Sequence, residues 1–127
     1  MILICGAILG FIAVAFGAYA EHGLRELVTE EHFRYLMTAI RYNQVHALVV
    51  VAIGLGLFSG TGLSLHRPLQ LSGALFVVGT ALFSFSIYLS VALGIPALVY
   101  ITPVGGVTLM AAWLMLAWAG IRQVRRT

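Results

Sequence analysis

Hydrophobic positions in this chain fall into four long blocks divided by short polar punctuation. Ile2 to Ala20 holds no charged side chain, and Pro68 to Ile121 holds none either. Residues 21–44 carry all four Glu and three of the seven Arg, and Val45 to Phe58 is again apolar. A water-facing domain does not sustain charge-free runs of that length, because its outward faces must be hydrated. Those faces therefore meet lipid. At 1.5 Å per residue, about 20 residues cross a hydrocarbon core of roughly 30 Å. The pattern predicts an all-α membrane protein, a single domain of four transmembrane helices in an antiparallel bundle. The spans fall at about 2–20, 40–59, 68–93 and 102–121, with an amphipathic helical segment at about 29–40 between helices 1 and 2.

The ends of these elements follow from local chemistry. The first block lacks a preceding positive residue, so it reads as a first transmembrane helix although Ala18-Tyr19-Ala20 has a small-x-small pattern. Thr29 fits an N-cap, with Glu30 and Glu31 at the positive end of the helix it opens. Phe33, Leu36, Met37 and Ile40 then recur at helical spacing, opposite Glu30, Arg34, Thr38 and Arg41. This segment either lies on the membrane surface or is the protruding start of the second span, which begins near Ile40 with Arg41 snorkelling to the interface. Ser59-Gly60-Thr61-Gly62 ends that span by turn chemistry, and His66 and Arg67 mark the next interface. Pro68 fits the first turn of the third helix, and Gly94 can cap its end. Thr102-Pro103 has the N-cap and first-position pattern of a fourth helix; the alternative start is Pro96, which leaves Pro103 as a kink.

Composition narrows the function classes. The chain is 61% hydrophobic and 9% charged, with mean hydropathy +1.05, and its formal charge of +3 rests on Arg alone. So small a basic excess, clustered at helix ends, reads as headgroup contact and topology control rather than nucleic-acid binding. Four spans place both termini on one side with Arg67, Arg122, Arg125 and Arg126, against Arg25, Arg34 and Arg41 on the other, which favours cytoplasmic termini. Cys5 is the single cysteine, sits in an apolar helix and reads as a small hydrophobe.

Candidate chemistry is sparse. Gly6, Gly10, Ala13, Gly17 and Ala20 share one face of the first helix, a small-residue spacing that suits either contact within the bundle or a dimer. Gly73, Thr80, Ser84 and Tyr88 form a weakly polar stripe on the third, suited to interhelical hydrogen bonds or to a ligand-facing wall. His46 lies one turn into the second span with Tyr42 four residues before it and Gln44 nearby; His22 follows Glu21 at the end of the first. If His22 and His46 share a depth, these groups form a polar cluster able to relay protons or ligate a metal, although no HxxxH or CxxC spacing is present. Thr102-Pro103-Val104-Gly105-Gly106 is either a helix start packed tightly on a neighbour or a helix break lining a cavity. Trp113, Trp118 and Tyr100 suit lipid-facing or interfacial positions. No nucleophile elbow, phosphate loop or paired membrane carboxylates occur, and no cofactor or metal is implied.

Four segments taken together resemble a known family. Gly17-Ala18-Tyr19-Ala20-Glu21-His22-Gly23-Leu24 looks like its first-helix signature, usually Gly-Ala-Phe-Gly-Ala-His. Tyr42 to Leu48 resembles its Tyr-Gln-x-x-His-Ala-Leu, Leu82 to Tyr88 its Leu-Phe-Ser-Gly-Ser-x-Tyr, and Ile101 to Gly106 its Thr-Pro-x-Gly-Gly. This is the small bacterial membrane family called domain of unknown function 423, related to eukaryotic transmembrane protein 256. The resemblance implies a four-helix inner-membrane protein with no settled activity. The chain departs from the pattern at Ala20 and Glu21, at the inserted Asn43, and at Phe85 in place of Gly.

The expected function is therefore that of a non-enzymatic packing or accessory subunit, partnered by the lipid bilayer and by copies of itself or other membrane subunits. The alternative is a small-solute transporter or channel with a cavity near Tyr42, His46, Tyr88 and Thr102–Gly106.

Overall fold

The computed structural model describes residues 1–59 and 67–125. Among them the chain forms α1 (Ile2–Tyr19), a π-helical turn (Ala20–Leu24), α2 (Glu30–Phe58), α3 (Arg67–Thr80), a second π turn (Ala81–Phe85), α4 (Ser86–Leu93), a 3₁₀ segment (Pro96–Ile101) and α5 (Thr102–Val124). Joined through their π turns and the 3₁₀ segment, these make four helices long and apolar enough to cross a membrane: Ile2–Leu24, Glu30–Phe58, Arg67–Leu93 and Pro96–Val124. Gly60, Thr61, Gly62, His66 and Arg126 lie outside the described residues.

Close approaches set the register. Gly10 faces Ala47, Gly17 faces Ile40 and Gly54 faces Leu3, so α1 and α2 run antiparallel. The Ser84 hydroxyl donates to the Ala39 carbonyl at 2.8 Å, and the His46 ring lies 5.6 Å from that of Phe76, so α2 and the third span are antiparallel too. Ser72 donates to the Ala112 carbonyl at 3.0 Å and Gly79 meets Leu109, which sets α5 antiparallel to α3. The result is an up-down-up-down bundle.

Thr29 caps α2 by accepting the His32 N–H at 3.2 Å. The amphipathic segment expected at 29–40 is the first part of this helix, which continues unbroken to Phe58. Gly94 ends α4 in the left-handed region, φ 65°, where a Cβ is disfavoured. Thr102 is not the expected N-cap. Its backbone is helical, φ −53° and ψ −45°, because the chain already winds as a 3₁₀ turn from Pro96. Pro103 has no N–H for an α bond back to Val99, which suits a change of winding at this step.

The bundle has small and polar groups inside and large apolar groups outside. Of the largest side chains with almost no exposure, Asn43, Thr80, Ser72 and Ser84 are polar and only Phe76, Leu36 and Val50 are not. Ile4, Ile8, Phe11 and Val14 of α1, with Val107, Met110 and Leu114 of α5, point outward. Lipid explains this inversion. Tails solvate Leu and Ile as well as another helix does, so helices associate through close packing and interhelical hydrogen bonds.

Candidate functional site

Two apolar clusters build the interior. One gathers Leu9, Val50, Phe76 and Leu109, the other Ala20, Leu36, Ile40 and Tyr88. Polar side chains of α2 and the third span lie between them. Asn43, fully buried, donates through Nδ2 to the Tyr88 hydroxyl at 3.2 Å. The Phe16 ring covers Tyr88 in a stacked contact at 4.0 Å, and Phe85 packs beside it at 5.8 Å. Asn43 Oδ1 and Thr80 Oγ1 are buried without a partner. Ser84 lies opposite Ala39, and one turn along the same antiparallel register Thr80 lies opposite Asn43. Such buried polar atoms each cost on the order of 1–3 kcal/mol when unpaired.

His46 is held at both ring nitrogens. Its Nδ1 is 2.7 Å from the Tyr42 carbonyl oxygen, and Trp113 Nε1 donates to its Nε2 at 3.3 Å. A carbonyl only accepts and an indole N–H only donates. The two contacts are therefore satisfied together by the neutral Nδ1–H tautomer. The ring also packs against Phe76 and Trp113, whose own centroids are 5.0 Å apart edge to face. Trp113, expected to face lipid, is half exposed but turns its N–H inward because His46 offers an acceptor.

The Thr102–Gly106 segment closes on the second π turn. A Cβ built on Gly105 would stand 2.3 Å from the Phe83 backbone nitrogen and 2.7 Å from its Cα. Gly106 is looser, with the Phe83 ring at 3.8 Å. Thr102 Oγ1 pairs with Ser86 Oγ at 2.7 Å, while Ser86 also donates to the Phe83 carbonyl at 2.9 Å. Of the two alternatives for this segment, the contact made is tight packing on a neighbour. Pro103 stays exposed at the outer edge.

The expected polar cluster divides. Tyr42 and His46 meet, Tyr88 and Ser84 lie along the same wall, and Thr102 joins that wall through Ser86. Glu21 and His22 are apart from them. His22 is exposed, and Glu21 accepts from Arg25 on the surface. Because Gly10 sits opposite Ala47 and Gly17 opposite Ile40, His22 is about 16 Å along the helix axis from the level of His46. The common depth expected for the two histidines is thus not realised, and ligand bonds of about 2 Å cannot join them. No group of three or more His, Cys, Asp or Glu able to hold a metal occurs among the described residues. Gln44 faces outward beside Gly10, away from His46. Near the start of α2, Tyr35 donates to the Glu31 carboxylate at 2.5 Å.

Sequence reasoning missed Trp113 and Ser86 as partners, and it missed both π turns. It also missed Gly54 and Gly79, whose backbones touch Leu3 and Leu109. A lone Gly within an apolar helical block was the available signal for the last two. Of the departures from the family pattern, Ala20 and Asn43 enter the interior, whereas Glu21 stays on the surface.

Comparison with known proteins agrees with this architecture. Residues 16–106 match the family described as protein of unknown function (DUF423). The chain is similar to the UPF0382 membrane protein YwdK of Bacillus subtilis, at 34% identity over 122 residues, covering 94% of this chain and 95% of the relative. It is also similar to the UPF0382 inner membrane protein YgdD of Escherichia coli, at 30% identity over 128 residues with 98% and 92% covered. A UPF0382 membrane protein of Haemophilus influenzae is 30% identical over 116 residues, 91% of this chain and 90% of that one. No solved structure gives a significant match. With four membrane-crossing helices, and with its second, third and fourth signature motifs all placed in the bundle interior or against it, the chain belongs to the DUF423 family of membrane proteins.

Proposed function

We propose that this protein acts without catalysing a reaction, as a packing or accessory subunit in the bacterial inner membrane, with both termini in the cytoplasm. The observation that carries the reading is the closure of Gly105 onto the Phe83 backbone. A transporter of this size needs its helix break to line an aqueous space. Here the break is filled by a neighbouring backbone, and the mid-depth histidine is occupied at both nitrogens. A charged or strongly polar mid-membrane group, the usual mark of an ion or proton path, is likewise absent from the charge-free run Pro68 to Ile121. Support for an assembling role comes from the outward groove along α1 and α2, where small residues leave room for close approach. The name of the Escherichia coli relative supports the inner-membrane location.

Gentle extraction from native membranes, followed by size analysis and identification of co-purifying proteins, tests the proposal. A reproducible assembly larger than 13.7 kDa is expected. A lone chain carrying a bound small molecule overturns it.

A further inference from the structure

We propose that the outward face of α2 holds a phospholipid of the leaflet at its N-terminal end, with the Arg41 guanidinium on the phosphate and the Gln44 amide on an ester carbonyl beneath it.

Arg41 and Gln44 are both exposed, and neither has a hydrogen bond, ion pair or ring contact with a described residue. Among the described residues the ion pair joins Arg25 to Glu21 instead, and the Thr38 hydroxyl one turn above Arg41 is spent on the Arg34 carbonyl. Gln44 borders the groove beside Gly10, but the lining there is wholly apolar, so its amide belongs to the outer face, three residues from Arg41. Side chains three apart are neighbours on a helix surface.

Depth makes both groups costly without a partner. Gly17 faces Ile40, so Arg41 lies level with Phe16, five residues short of Glu21, the first charge on α1. Counting from Ser84 against Ala39, Arg67 at the other end falls level with Gly56, fifteen residues or about 22 Å from Arg41. A hydrocarbon core of roughly 30 Å therefore covers the backbone at Arg41. Hydrocarbon gives a guanidinium or an amide nothing to bond. Helical side chains lean towards the helix N-terminus, which for α2 is the watery end at Glu30. Arg41 thus reaches up to headgroup level, and the shorter Gln44 stops about one turn below it. A phospholipid sets out its groups in the same order, phosphate outside and ester carbonyls inside. The guanidinium fork matches phosphate oxygens, and an amide N–H donates to a carbonyl. A partner's carboxylate or a free phosphate would answer Arg41 and leave Gln44 unpaired; a phospholipid answers both.

The test uses the full-length chain in lipid discs, with retained lipid counted by mass spectrometry of the intact complex. Dioleoyl phosphatidylglycerol is the probe; its diether analogue lacks the carbonyls, and a diacyl galactolipid lacks the phosphate. The parent is expected to retain the diester phospholipid best and the galactolipid least. Arg41→Gln should lower retention of the diester roughly tenfold or more, the size of a hydrogen bond to a charged group, while Arg41→Lys keeps part of it. Gln44→Leu should lower it about threefold, the size of an average interhelical hydrogen bond, and should leave retention of the diether lipid unchanged. Both side chains face outward, so each variant should keep the helical content of the parent, which separates lost binding from lost folding. Equal retention of the galactolipid, or retention unchanged by Arg41→Gln, overturns the inference. An equal Gln44→Leu loss with the diether lipid does so as well. Release of the lipid by inorganic phosphate overturns it in favour of a plain phosphate site. Co-purification of an acidic membrane protein that Arg41→Gln abolishes overturns it in favour of a protein partner.

Discussion

Gly105 of α5 packs directly on the backbone of Phe83, with only 2.3 Å between a Cβ built on the glycine and the Phe83 nitrogen. Phe83 belongs to the π turn Ala81–Phe85, so a widened turn in one span receives the start of the next. The relationship also yields a contrast between neighbours. Gly105→Ala must push two backbones apart and is expected to destabilise the bundle by about 1–3 kcal/mol or more. Gly106→Ala, with 3.8 Å to the Phe83 ring, should be neutral or slightly stabilising through helix propensity. Unfolding in mixed micelles measures both.

The His46–Trp113 contact predicts a tautomer and an energy. ¹⁵N spectra of the histidine ring should show protonated Nδ1 and an accepting Nε2, since the Tyr42 carbonyl and the Trp113 N–H admit no other neutral arrangement. Trp113→Phe keeps the ring packing on Phe76 but removes the donor. A loss of roughly 1 kcal/mol is expected, within the range of interhelical hydrogen bonds in membranes. A spectrum dominated by Nε2–H would contradict the assignment.

Asn43 and Thr80 should respond in opposite ways although both are fully buried. Asn43→Leu removes the partner of the Tyr88 hydroxyl and overfills a closed site, so about 1–3 kcal/mol is lost. Thr80→Val replaces an unpaired hydroxyl with a methyl of similar volume and should be neutral or stabilising. Equal large losses at both positions would mean that the Thr80 hydroxyl has a partner of its own.

Orientation is open to a direct check. Arg67, Arg122, Arg125 and Arg126 on one side against three Arg on the other predict cytoplasmic termini. A fluorescent protein fused after Thr127 should mature in the cytoplasm, and an alkaline phosphatase fused there should stay inactive. Reversal of both signals refutes the prediction.

Much of the bundle was legible in the chain. Hydropathy alone marked four spans, because exclusion of charge from hydrocarbon is a property of composition and needs no partner. Thr29 and Gly94 marked their helix ends for a similar reason: capping depends on a few adjacent residues. Thr102 failed as a cap because the chain already winds from Pro96 and leaves its backbone helical, and its hydroxyl pairs with Ser86 instead. The candidate site was less legible. Sequence spacing placed Tyr42 beside His46, one turn apart, but suggested His22 as a second partner and overlooked Trp113.

What the sequence by itself determined, then, was the solvent of each face and the lengths of the spans. Tertiary structure alone decided which polar groups meet. The partner of His46 depends on how α5 lies across α2, and the role of Gly105 on a π turn in another span. Gly6 and Gly10 look alike in a small-residue stripe, yet only the register of α1 on α2 shows that one is used up within the chain and the other is left open beside Gln44. Periodicity is set residue by residue along one helix. Register between helices is a sum of many weak contacts, so it is fixed only when the whole bundle packs.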